Sequence, residues 1–173
     1  MTSSAIRPVA LLGVAFCILM MAVALGLEHI GGLEPCPLCI FQRVAVIAAG
    51  LVLAVAAIHN PRGRFGKGLY GVLSLAAVGT GAFIAGRHVW LQGLPADEVP
   101  SCGPGLEYMM DILPMQDVVA MVLTGSGECA EIDFMLLGLS LPGWTLVGFL
   151  ILALVPLRML WLAVSGQGTL AKR

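Results

Sequence analysis

Cys36 and Cys39 stand two residues apart in Pro35-Cys36-Pro37-Leu38-Cys39, at the mouth of a long apolar run. A C-x-x-C pair is just wide enough to close a small, strained disulfide ring, and such rings exchange readily. A helix N-terminus beside the pair favours the thiolate, the form that attacks disulfides. The same residue types also suit half of a zinc site or a structural staple. Two further cysteines, Cys102 and Cys129, lie far downstream, and Arg43 and His88 are the other side chains near enough in pattern to take part.

The elements that must position these residues follow from composition. Of 173 residues, 59% are hydrophobic and only 11% charged, with a mean hydropathy of +0.98. A soluble domain of this size cannot hide that much apolar surface, so the expected solvent is a bilayer. A spanning helix needs roughly 20 mostly apolar residues. Stretches at about 9–27, 40–58, 69–86 and 141–164 meet that need. The expected fold is an all-α integral membrane protein, a bundle of four transmembrane helices forming a single membrane domain. Pro156 and Arg158 interrupt the last stretch, whose apolar core is expected to end near Leu157 with Arg158 and Trp161 at the interface.

The ten acids and nine bases nearly cancel, but their placement is asymmetric. Glu28 and Glu34 lie between the first two spans, and all other acids lie between the third and fourth. Arg7, Arg62, Arg64, Lys67, Lys172 and Arg173 fall on the opposite side. The positive-inside rule then puts both termini in the cytoplasm. Loops 28–39 and 87–140 face outward, and 59–68 makes a basic cytoplasmic turn. Small residues in the third span, including the pairs Ala77/Gly81 and Ala82/Gly86, favour close helix approach and one packed bundle. The apolar run of the first span is longer than the usual core of a signal peptide, which argues against cleavage after Ala22-Val23-Ala24.

This orientation leaves four of the five cysteines in outward loops, where disulfides form and persist. Cys17, alone in the first span, reads as a small packing residue. The first outward loop is too short for a domain, which holds Cys36 and Cys39 close to the membrane surface. Pro37 suits the first position of a helix, and Cys39 and Arg43, four apart, then share a face. Arg43 either snorkels toward headgroups or stabilises an anion beside Cys39. His88 leaves the third span at the same depth, as an interfacial hydrogen-bonding residue or as a donor to a reduced acceptor. In the second outward loop, the apolar run 115–123 is too short to span. It reads as a short helix lying on the membrane surface or packed within the loop.

Zinc is disfavoured because the second cysteine pair is widely separated in a Gly/Pro-rich loop. A structural staple is disfavoured because so short a ring removes little chain entropy. Redox chemistry remains, and two cysteine pairs on one side of a bundle suggest relay by thiol–disulfide exchange. An outward carrier of reducing equivalents needs redox cysteines reachable from the cytoplasm, which Cys17 does not supply. A four-span scaffold with structural disulfides is the remaining alternative.

Four segments carry a resemblance to a known family. They are Glu-Pro-Cys-Pro-Leu-Cys-Ile-Phe-Gln-Arg at 34–43, Arg-His-Val-Trp-Leu-Gln at 87–92, Gly-Glu-Cys-Ala-Glu at 127–131 and Leu-Gly-Leu-Ser-Leu-Pro-Gly-Trp at 137–144. In this order the chain resembles the bacterial disulfide-bond-formation protein B (DsbB) family of membrane thiol–quinone oxidoreductases. Where the family often has Glu before the Arg, this chain has Gln42. A vitamin-K-epoxide-reductase-like chain would carry its motif late, not after the first span.

The resemblance implies two redox-active disulfides, Cys36–Cys39 and Cys102–Cys129. It implies that Cys36 and Cys39 pass electrons to a bound ubiquinone or menaquinone, with Cys39 nearest the ring. Cys102 is then the sulfur that meets a soluble periplasmic thiol oxidase (DsbA-like), and Cys129 the one that exchanges with Cys36. Arg43 and His88 are implied to line the quinone site. No metal and no nucleic acid are expected. An ordinary C-x-x-C disulfide is a weak oxidant, so the pair must be tuned by its surroundings or the quinone must pull the exchanges over.

Overall fold

A computed structural model describes residues 6–95, 97–100, 106–125, 127–132 and 134–165. Four long helices dominate it: α1 (Arg7–His29), α2 (Pro37–His59), α3 (Arg64–Gln92) and, last in the chain, α7 (Leu141–Val164). Each is long and apolar enough to cross a membrane. Between α3 and α7 lie α4 (Leu106–Ile112), α5 (Met115–Thr124), α6 (Gly127–Ala130) and the paired β1 (Met135–Leu136) and β2 (Leu139–Ser140). The all-α four-helix bundle expected from composition is the architecture observed.

Proline sets several of the starts. α1, α2 and α7 each carry Pro in their first two positions, where its missing N–H is one the helix would leave unbonded anyway. α2 stops at Asn60, which adopts the left-handed conformation at φ 44° and is followed by Pro61. α7 does not stop at Pro156, which lies buried inside it. Arg158 stacks over Trp161 at 4.2 Å, holding the charge beside an aromatic ring near the end of the helix.

α3 runs well past its apolar stretch at both ends. Arg87 and His88 therefore lie on its last turns and not in a loop, because helical hydrogen bonding continues beyond the point where hydropathy falls. At the other end, Arg64 donates to the last carbonyls of α7, Ala163 O at 2.9 Å and Val164 O at 2.6 Å. Those carbonyls have no partner within the helix, so the guanidinium closes α7 and ties it to α3.

The long helices pack in a ring, α1 on α2, α2 on α3, α3 on α7 and α7 back on α1, with α1 and α7 touching least. The core runs along the ring's axis through Ala49 and Leu53 of α2, Val78 and Ala85 of α3, and Phe149 and Leu152 of α7. Gly81 is required here: a Cβ at this position would sit 2.2 Å from the Phe149 ring. Cys17 is buried against Gly50 and acts as a packing residue. Large apolar side chains such as Leu12, Ile18, Leu51 and Leu154 face outward along the helices, as lipid contact requires.

A second cluster covers one end of the ring. Leu38, Ile84 and Leu91 from the long helices bury against Met109, Val118, Val122 and Cys129. α5 turns Val118 and Val122 inward and leaves Met115 and Met121 exposed. β1 and β2 form a hairpin in the register Met135↔Ser140 and Leu136↔Leu139, closed by Leu137 and Gly138, both at positive φ.

Candidate active site

Cys36 is the last extended residue before α2, with φ −67° and ψ 164°, and Pro37 starts the helix. One turn brings Cys39 back beneath it, so the Cys36 thiol donates to the Cys39 sulfur across 3.2 Å. α3 places His88 against both. Its Nε2 is 3.8 Å from Cys36 Sγ and its Nδ1 is 3.9 Å from Cys39 Sγ. Gln42, buried on α2 three residues beyond Cys39, brings its amide nitrogen within 3.2 Å of His88 Nδ1. With Gln42 donating there, the imidazole's own hydrogen lies on Nε2 and faces Cys36.

Cys129 reaches the site because the segment around it is held from two sides. Arg87 donates to Leu123 O at 3.2 Å and Thr124 O at 2.9 Å, fixing the end of α5, and also covers the Trp90 ring. Gln92 donates to Glu131 O at 3.3 Å and accepts from Ser140 Oγ at 2.6 Å. Gly125 makes the turn at φ 89°, with its backbone packed on Leu91. Cys129 is buried beneath this arrangement, and the donor atoms of Cys36, His88 and Cys129 all lie within 4.8 Å of one another. Cys102 lies outside the described residues.

Arg43 sits one turn deeper than Cys39 on α2, as their spacing requires. Its guanidinium, however, is turned to Glu28 in the last turn of α1, with which it forms an ion pair, and reaches Ala24 O at 3.5 Å. Neither Glu28 as Arg43's partner nor Gln42 as His88's was singled out from sequence. The available signal for Gln42 was its three-residue spacing from Cys39, which puts both on one face. For Glu28 it was an acid at the end of a span, opposite an Arg at the start of the next.

Beyond Cys39 a cavity of about 350 Å³ opens between α1, α2 and α7. Glu28, Cys36, Cys39, Gln42, Arg43 and His88 are among its polar lining residues, and Leu19, Met20, Val23, Trp144 and Ile151 among the apolar ones. A space of that size and make-up suits a small, largely apolar molecule with a few polar atoms at one end. Chemically, the site joins three sulfurs that can exchange bonds, a hydrogen-bonding imidazole, and a hollow open to an apolar reactant.

Comparison with known proteins supplies the context. The family model described as "Disulfide bond formation protein DsbB" matches residues 6–159. A protein of Chromohalobacter salexigens named disulfide bond formation protein B is 57% identical over 155 residues, covering 90% of each chain. One of the same name from Nitrosococcus oceani is 48% identical over 165 residues, covering 95% of this chain and 97% of its own. Another from Acinetobacter baumannii is 56% identical over 141 residues, covering 82% of each chain.

Proposed function

The chain belongs to the disulfide bond formation protein B family, and from that premise we propose that it reoxidises a soluble periplasmic dithiol oxidase and passes the electrons to a membrane quinone. As a family member it is a multi-pass membrane protein of disulfide bond formation. The direction of flow and the two partners are the proposal.

One observation carries the reading. Cys36 Sγ has Cys39 Sγ at 3.2 Å on one side and the Cys129 sulfur within 4.8 Å on the other. A sulfur so placed can trade partners with little movement. On this reading Cys102 accepts attack from the soluble dithiol, and Cys129 carries the exchange inward to Cys36. Re-forming the Cys36–Cys39 disulfide releases two electrons and two protons, which a quinone takes up as it becomes a quinol. The make-up of the cavity beside Cys39 supports this: Arg43 and His88 on its polar wall would hold the ring's oxygens, and its apolar side would take ring and tail. On this reading His88, 3.8 Å from Cys36 Sγ and 3.9 Å from Cys39 Sγ, hydrogen-bonds the sulfurs and hands on a proton. Arg43 brings a cation to the same wall.

The test is turnover by the purified protein in detergent. Loss of quinone absorbance should require both a reduced DsbA-like protein and this chain. Cys36→Ser and Cys39→Ser should each abolish it. Quinone loss that survives either substitution would overturn the assignment, and a four-span scaffold predicts no turnover at all.

A further inference from the structure

We propose that, with its thiols reduced, the same end of the bundle binds a soft divalent cation of the zinc class through Cys36, Cys129 and His88, and that a bound ion halts thiol–disulfide exchange. The sequence argued against zinc by pairing Cys36 and Cys39 with Cys102 and Cys129. The fold presents a different set, in which α3 contributes an imidazole. Two thiols and one imidazole make three ligands of a tetrahedral zinc site, with the fourth position left to water, and thiolates select soft metals.

The spacing agrees with that chemistry. Zinc–sulfur bonds of about 2.3 Å and zinc–nitrogen bonds of about 2.0 Å put tetrahedral ligands roughly 3.5–3.8 Å apart. His88 Nε2, the nitrogen that would bind, lies 3.8 Å from Cys36 Sγ. Cys129 completes a trio whose donors fall within 4.8 Å. Closing on an ion therefore needs shifts of about an ångström or less. His88 and Cys129 are buried and held by packing, so the donors are already arranged. Gln42 supplies the outer contact: rotating its amide to present oxygen lets it accept from Nδ1–H while Nε2 binds the metal.

Binding moves no electrons. Each thiol that becomes a ligand releases its proton to solvent, and Cys36 and Cys129 then lack the free thiolate that exchange requires. A disulfide offers no thiolate, so the oxidised protein should not bind. The inference uses only the thiols and the imidazole. It can fail while the quinone reading stands, and the reverse.

The experiment titrates the anaerobically reduced full-length protein in detergent with Co²⁺, then displaces it with Zn²⁺ against a chromophoric chelator. The expected result is a single Co²⁺ with the intense absorption of tetrahedral thiolate coordination, released by Zn²⁺ and absent from the oxidised protein. His88→Ala and Cys129→Ser should each weaken binding at least as much as the ~10–100-fold lost with an outer-sphere partner, whereas Cys17→Ser should not. Thermal melting in the same detergent checks each variant's fold, and the oxidised wild type gives a comparison that needs no substitution. Equal binding by reduced and oxidised protein, or binding unchanged in folded His88→Ala and Cys129→Ser, overturns the proposal.

Discussion

Arg43 and Glu28 meet at the cavity wall where α1 ends and α2 begins. The pair is half-buried, so it is screened less than a surface ion pair and holds a long side chain in one place. On the proposed reading, Arg43→Ala slows quinone reduction far more than exchange with the soluble dithiol. Stopped-flow measurement of the two half-reactions checks this, and equal losses in both refute it. Glu28→Gln keeps the cation but loosens its position, since Arg carries about 2 kcal/mol of side-chain rotational freedom. The expected outcome is a rise of about tenfold in KM for quinone, equivalent to ~1.4 kcal/mol, with a smaller change in kcat. An unchanged KM would remove Glu28 from the site. Cys36, Cys39 and Arg43 were legible because they lie at or just inside the start of one helix, where spacing fixes geometry. Glu28 was not, because its contact crosses between helices, and no spacing within one helix reports that.

Among the elements, the long helices were legible from hydropathy, because a bilayer demands runs of a given length. Their ends were less so: α3 carries Arg87 and His88 on its last turns, and helical hydrogen bonds, unlike hydropathy, do not end at the membrane face. α4, α6 and the hairpin escaped notice because each is only a few residues long and is held by contacts made elsewhere, such as Gln92 with Glu131 just after α6 and with Ser140 of the hairpin. Small residues in α3 were read as sites of close approach, and the structure divides them. Gly81 lies under Phe149, whereas Gly86 faces open space. Gly81→Ala should therefore destabilise by about 1–3 kcal/mol, the usual cost of overpacking a tight core. Gly86→Ala should be neutral to slightly stabilising. Thermal unfolding of both variants in detergent checks the contrast, and similar melting temperatures would contradict it.

For the molecule as a whole, the ring order of the helices and the capping of one end by α4–α6 were beyond sequence reading. They depend on which faces meet after all four helices are in place. That end gathers the sulfurs, and the other is closed by Arg64 on α7. The charge asymmetry predicts that the sulfur end faces the periplasm and the Pro61 turn the cytoplasm. A periplasm-dependent phosphatase fused after Pro100 should be active and one fused after Pro61 inactive. The opposite pattern would invert the protein in the membrane.

The thinnest seam in the ring, between α1 and α7, runs beside the cavity, with Met20 lodged against Gly148. A flexible thioether yields more readily than a branched side chain. A molecule dissolved among acyl chains can therefore arrive sideways without crossing water. For such a reactant the concentration that matters is its mole fraction in the micelle or bilayer, not its amount per litre. Diluting a fixed quantity of quinone with extra detergent should slow turnover even though the bulk quinone concentration has not changed.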